Sequence, residues 1–131
     1  MKQPIFRASD IRGLYPTEIN EVRAVEIGRA CSKLFKPGKI VVAHDTRHGS
    51  VELAQTFIDG LKQGPEDQYE IIFVGLSTTP MFYFLVNELG ASGGCMVTAS
   101  HNPKNYNGFK IVDGQMHNIG GTTIQNIVET F

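Results

Sequence analysis

The sequence has only two cysteines, Cys31 and Cys95, without the Cys-x-x-Cys spacing of a zinc or redox site. Two thiols are too few for a disulfide framework, so buried, reduced thiols in a cytosolic protein are the expectation. No block of one charge sign occurs either: twelve Lys and Arg face thirteen Asp and Glu, for a net charge of −1. That balance argues against nucleic acid or an anionic membrane as the main partner, and any anion site must gather its cations locally. No apolar run reaches the length of a signal peptide or a membrane span, which predicts a soluble, cytoplasmic chain. The Gly-x-Ser-x-Gly elbow of a hydrolase is missing.

What is there reads as one domain: 131 residues, 41% of them hydrophobic, suffice for a single core. Apolar spacing switches repeatedly between the helical and strand periods. Ala24, Ile27, Gly28, Cys31, Leu34 and Phe35 predict a helix closed by Pro37-Gly38, and Ile40–Ala43 a buried strand. Leu53, Ala54, Phe57, Ile58 and Leu61 predict a second helix, ended by Gly64-Pro65, with Ile71–Val74 as a second buried strand. Thr79-Pro80 opens a third helix, with Thr79 as its cap and Gly90 as its end. Cys95–Val97 and Phe109–Val112 predict two further strands, the latter reached across an Asn107-Gly108 turn. Thr122-x-x-Gln125 has the form of a capping box for a last helix carrying Ile124, Ile127, Val128 and Phe131 on one face. The expected fold is therefore α/β, a single three-layer domain with a mixed, mostly parallel central sheet of about four strands flanked by helices. The last helix runs to the final residue without a stop signal, which suggests one piece of a longer, multidomain polypeptide.

Three strand exits or strand-like segments are unusually polar. The first is Thr98-Ala99-Ser100-His101-Asn102-Pro103-Lys104, where Pro103 fixes its own φ and restricts Asn102, so that Ser100 and His101 emerge from a constrained loop. Neighbours in an extended chain point to opposite sides, so His101 is badly placed to deprotonate Ser100, which argues against a hydrolytic triad. The second is His44-Asp45-Thr46-Arg47-His48-Gly49-Ser50, where Asp45 and Arg47 can orient one another beside a helix start that favours anions. A salt-bridged turn and cap is an equal reading of those residues. His44 and His48 have a metal-like i, i+4 spacing, but the helix start at Gly49-Ser50 follows them, so they do not share a helical turn. The third is Phe6-Arg7-Ala8-Ser9-Asp10-Ile11-Arg12-Gly13, whose arginines could fork onto phosphate. Lys110, within an apolar strand ten positions after Ser100, is either a solvated lysine on an edge strand or an electrostatic group for the Ser100 loop.

Taken together, these segments resemble the α-D-phosphohexomutase superfamily, in its phosphomannomutase/phosphoglucomutase branch. Thr98–Pro103 resembles the family's phosphoserine loop, Tyr106-Asn107-Gly108-Phe109-Lys110 its continuation, and Phe6-Arg7-x-x-Asp10-Ile11-Arg12-Gly13 its N-terminal signature. Asp45-x-Arg47 is similar to a further family segment. The resemblance covers residues 1–131 but only the first of the family's four domains. It implies that Ser100 carries a phosphoryl group and contributes to a Mg²⁺ site through its phosphate or hydroxyl oxygen, with Ser100, His101, Lys110 and Arg12 as the catalytic set. Arg7, Arg47, Asn102 and Lys104 are the further phosphate- or substrate-contact candidates. The implied reaction interconverts a hexose 1-phosphate and 6-phosphate, of mannose or glucose, through a 1,6-bisphosphorylated sugar, with phosphosugar and the remaining domains of the same polypeptide as partners. A phosphoglucosamine mutase domain, or a non-catalytic phosphate-binding or phosphoserine-regulated module, is the alternative. Ser9, Ala43 and Gly49 depart from residues common in the branch.

Overall fold

The structure, a computed structural model, describes residues 4–131. The elements run β1 (Ile11–Leu14), α1 (Glu21–Cys31), β2 (Gly38–His44), α2 (Ser50–Leu61), β3 (Tyr69–Leu76), α3 (Thr79–Glu88), β4 (Gly93–Val97), β5 (Tyr106–Asp113), β6 (Asn118–Ile119) and α4 (Gly121–Val128). Each helix read from apolar spacing is present. Among the described residues, no helix is long and apolar enough to cross a membrane.

The sheet has six strands in the order β1-β5-β4-β2-β3, with β6 also on β5. Parallel pairing is confined to β3-β2-β4; β5 runs antiparallel to β4, β1 and β6. The reversal at β5 follows from its connection. A parallel return needs a crossover of about a dozen residues or more, whereas residues 98–105 form a short loop. The sheet is therefore mixed, as expected, but its mostly parallel part is the β3-β2-β4 half.

Alternation along the strands divides the core in two. Ile40, Val42, Cys95, Val97, Ile11, Phe109 and Ile111 face α1, α2 and α4, while Val41, Ala43, Met96 and Val112 face α3. The result is three layers with an uneven cover, since the ten-residue α3 packs on β2 and β4. The β5-β1 half of that face has no helix over it among the described residues. On the other face, α1 and α2 meet at Gly28 and Gly60, where a Cβ on Gly28 would strike the Phe57 carbonyl oxygen and lie 3.0 Å from Gly60 Cα. The glycines allow backbone-to-backbone approach.

Several local expectations need correction. The α3 cap is Thr78, whose hydroxyl accepts from Met81 N–H at 3.2 Å, so that Thr79 and Pro80 are already in the first turn. Gly120 caps α4 without a side-chain bond, and Thr122 lies inside the helix, so there is no capping box. β3 is an edge strand, with Phe73 45% and Leu76 63% exposed, and not a buried one; its apolar residues resembled a central strand because composition does not report which edge a strand occupies. Asn107-Gly108 is no turn. Both residues are buried within β5, where Gly108 pairs with Arg12 and a Cβ would run into the Ile11 carbonyl oxygen. β1 and β6 were not foreseen, being short and, in β1, interrupted by charge.

Candidate functional site

The parallel strands β2 and β4 end side by side, with His44 registered on Val97 and Asp45 N–H donating to Val97 O at 3.1 Å. Their exit loops, 45–49 and 98–105, are therefore neighbours at the carboxyl end of the sheet, where α/β folds place ligands. The β3 exit joins them through Ser77 N–H to His44 O at 3.0 Å. β1 arrives from the other side, registering Arg12 on Gly108.

Ser100 has φ of 55°, in the left-handed region that a residue with a Cβ seldom occupies. Its N–H donates to Thr98 Oγ1 at 3.1 Å, and Asn102 N–H closes a turn onto Ala99 O at 3.1 Å. Such strain persists only where surrounding contacts impose it, and it concentrates at functional sites. Ser100 lines two clefts. One, of about 910 Å³, lies toward α3 with Thr78, Pro80, Met96, His101 and Lys110; the other, of about 590 Å³, includes Thr46, His48, Asn102 and Lys104.

Because Phe109 and Ile111 belong to the α1-α2-α4 core, the alternation of β5 turns Lys110 to the opposite face. Arg12, between core-facing Ile11 and Gly13 and registered on Gly108, shares that face. Lys110 is thus half-buried on a central strand, next to Met96 of β4, and is not the solvated edge lysine that its neighbours also permitted. Its side chain forms no ion pair or hydrogen bond among the described residues, and the same holds for the side chains of His101 and Lys104, both exposed. Arg12 is held from two directions: Nε donates to Asp10 Oδ2 at 2.7 Å, and Nη1 to Asn102 Oδ1 at 2.7 Å and Ala99 O at 3.3 Å. Its Nη2 has no protein partner among the described residues. Asp10 is buried, and its Oδ1 also lacks a partner.

The structure thus brings Ser100, His101, Lys110, Arg12, Asn102 and Lys104 to one end of the sheet. Arg7 is not among the residues lining either Ser100 cleft; its backbone N–H donates to Asp10 O at 2.8 Å and its backbone packs against Gly121 at the start of α4. Arg47 belongs to the site but is turned onto the Ser100 loop, donating to four backbone carbonyls of residues 100–106. His44 and His48 are separated by the β2 exit, His44 stacking near Phe73 and His48 edge-on to Tyr15.

Two residues were missed by sequence reasoning. Asn107 is fully buried, donating from Nδ2 to His48 O at 3.1 Å and Ser50 Oγ at 3.0 Å, and Ser50 Oγ donates to Asp45 Oδ1 at 2.6 Å. The signal available was a polar amide next to the apolar run of β5. Asp10 was visible only as part of a charged segment.

A hard cation needs several oxygen ligands. Among the described residues no group of three His, Cys, Asp or Glu could hold a metal ion. Asp45, the carboxylate that lines both clefts, is already engaged by Ser50, by the Arg47 N–H at 2.9 Å and by the Arg47 guanidinium at 3.4 Å. These residues do not make a Mg²⁺ site by themselves.

Residues 3–131 match the family described as phosphoglucomutase/phosphomannomutase, alpha/beta/alpha domain I. A phosphomannomutase of Escherichia coli is 44% identical over 128 residues, covering 95% of this chain and 27% of the relative. A phosphomannomutase of Klebsiella pneumoniae is also 44% identical over 128 residues, covering 95% of this chain and 80% of the relative. Among solved structures, a phosphoglucomutase/phosphomannomutase family protein of Burkholderia thailandensis superposes with a TM-score of 0.79 at 32% identity, over 98% of this chain and 30% of that one. The chain thus spans about a quarter of the length of the Escherichia coli relative (27%) and most of the Klebsiella one (80%).

Proposed function

Since the chain belongs to the phosphoglucomutase/phosphomannomutase family, as its α/β/α domain I, we propose that Ser100 is the phosphoryl carrier of a hexose-phosphate mutase. The observation that carries this reading is a serine at φ 55°, on a braced strand-exit loop, in one cleft with Lys110. A phosphoserine brings roughly −1.5 to −2 charges. Among the described residues, Lys110 offers that cleft a cation with no side-chain partner, and Arg12 keeps one guanidinium nitrogen free beside the loop.

In the proposed step, the Ser100 Oγ–P bond breaks as a sugar hydroxyl oxygen bonds to phosphorus. The hydroxyl proton passes to a nearby base, and Ser100 Oγ ends protonated. The bisphosphorylated sugar turns over and returns its other phosphoryl group to Ser100 by the reverse exchange. Such transfer depends on alignment and on charge stabilisation, which the braced loop and the two cations would supply. His101 and Lys110 both line the cleft; the His101 imidazole can accept the hydroxyl proton, whereas Lys110, in its role as a cation, can only donate one toward Ser100 Oγ. Ser100 would give a Mg²⁺ ion no more than its own oxygen or phosphate, so the carboxylates must come from elsewhere in the polypeptide. We accordingly read residues 1–131 as one domain of a longer enzyme acting on mannose or glucose phosphates. The bisphosphorylated sugar would serve as its intermediate and activator.

The test uses the complete polypeptide that carries this domain. Ser100→Ala should abolish mutase turnover and remove the phosphorylated peptide from its mass spectrum. Undiminished turnover would rule Ser100 out.

A further inference from the structure

Arg47 gives both terminal nitrogens of its guanidinium to backbone carbonyls and pairs its Nε with a carboxylate. Nη1 donates to Pro103 O at 2.7 Å and Tyr106 O at 3.1 Å, and Nη2 to Ser100 O at 2.8 Å and Asn102 O at 2.7 Å. Nε faces Asp45 Oδ2 at 3.4 Å. The four N–H groups of Nη1 and Nη2 are thus matched by four carbonyls, so phosphate could take a forked, two-point contact only by displacing at least one of them.

We propose that Arg47 is a positioning residue: it holds the 100–106 loop in the conformation that presents Ser100 for phosphoryl transfer, and does not itself bind phosphate. The inference rests on the reading of Ser100 as phosphoryl carrier. Two physical arguments support it. First, a non-glycine residue in the left-handed region is disfavoured by its Cβ, so Ser100 needs an external restraint; Arg47 bonds its carbonyl and that of Asn102 two residues on. Second, carbonyl oxygens repel a phosphate dianion, and Arg47 gathers four of them onto one cation.

The clamp is itself braced. Asp45 Oδ1 accepts from the Arg47 N–H at 2.9 Å and from Ser50 Oγ at 2.6 Å, while Ser50 Oγ accepts from buried Asn107 at 3.0 Å. A continuous run of hydrogen bonds therefore joins β5, the start of α2 and the Ser100 loop. A lysine could keep the charge of Arg47 but has three donors on one nitrogen and no planar fork, so it cannot hold carbonyls spread from residue 100 to residue 106.

The test compares wild type, Arg47→Lys and Arg47→Ala in the complete polypeptide. Phosphate uptake at Ser100 from glucose 1,6-bisphosphate is followed by mass spectrometry, and exchange of the Asn102 and Tyr106 amides by hydrogen–deuterium labelling. Thermal unfolding checks folding. Both variants should take up phosphate on the order of 100-fold more slowly, with the KM for the bisphosphate changed by less than about twofold and the two loop amides exchanging faster. Recovery of the rate in Arg47→Lys, with a raised KM in Arg47→Ala, would make Arg47 a phosphate ligand and overturn the proposal. Unchanged loop exchange in both variants would also overturn it. If wild type takes up no phosphate while loop exchange still rises in the variants, the carrier role of Ser100 fails and the clamp stands.

Discussion

Truncating Asn107 to alanine should cost the domain about 2–4 kcal/mol, a large share of the 5–15 kcal/mol typical of a folded domain. The side chain is fully buried and makes three hydrogen bonds: two donated, to His48 O and Ser50 Oγ, and one accepted from Gly108 N–H at 2.9 Å. Each such bond contributes about 0.5–1.5 kcal/mol net, and an unpaired buried partner about 1–3. His48 is exposed, so water can replace one bond; Ser50 is buried and must lose its own. The side-chain entropy regained is smaller than these losses. Urea unfolding should therefore show a lower midpoint with an unchanged slope, and the melting temperature should fall by roughly 6–15 °C. Asn107→Asp separates bonding from shape. It keeps the volume but turns an amide nitrogen into an oxygen facing the His48 carbonyl. The buried carboxyl should titrate above its unfolded value, so its stability deficit at neutral pH should shrink as the pH falls toward the unfolded carboxyl range. A loss below about 1 kcal/mol in Asn107→Ala would refute the bonded network.

Gly28→Ala sets helix propensity, which favours alanine by about 1 kcal/mol, against a Cβ driven into the Phe57 carbonyl. Backbone cannot rotate aside as a side chain can, so net destabilisation of about 1–3 kcal/mol is expected by urea unfolding; a more stable variant would show that α1 and α2 do not pack this closely. Burial raises the Cys31 and Cys95 thiols above their ordinary value of 9.0. Both should stay inert to a thiol reagent in the native protein at pH 8 and react on unfolding, and reaction without unfolding would contradict their burial. The same shift has a stability consequence. With folded values raised, stability is level below the unfolded thiol value and falls as the pH rises past it. Tyr15, pushed up to about 12 by burial and then by its bond to Glu21, adds to that alkaline loss. A denaturation midpoint flat to pH 11 would contradict this.

How far the sequence carries the reading depends on the range over which each feature is decided. Helix α2 was legible because Leu53, Ala54, Phe57 and Leu61 report one buried face, and periodicity is a local quantity. Ser100 and Lys110 could be singled out because their segments are contiguous, and the structure places both on one cleft. The place of β3 was not, since Ile71, Ile72 and Phe73 look alike in a central strand and at an edge until the partners are counted. The Asn107-Gly108 pair shows the same limit: its turn propensity is local, but pairing with Arg12 and Gly13, nearly a hundred positions away, wins. Arg47 is the sharpest case. The types Asp45 and Arg47 favour phosphate and a structural clamp equally, and only the carbonyls 53 to 59 residues further along the chain decide between them. An arginine can ligate phosphate only with the donors its own fold leaves free. By that criterion Arg12, with Nη2 uncommitted among the described residues and beside the Ser100 loop, is the guanidinium that the proposed transfer expects at phosphate, and Arg47 is the one proposed to keep that loop in reach of it.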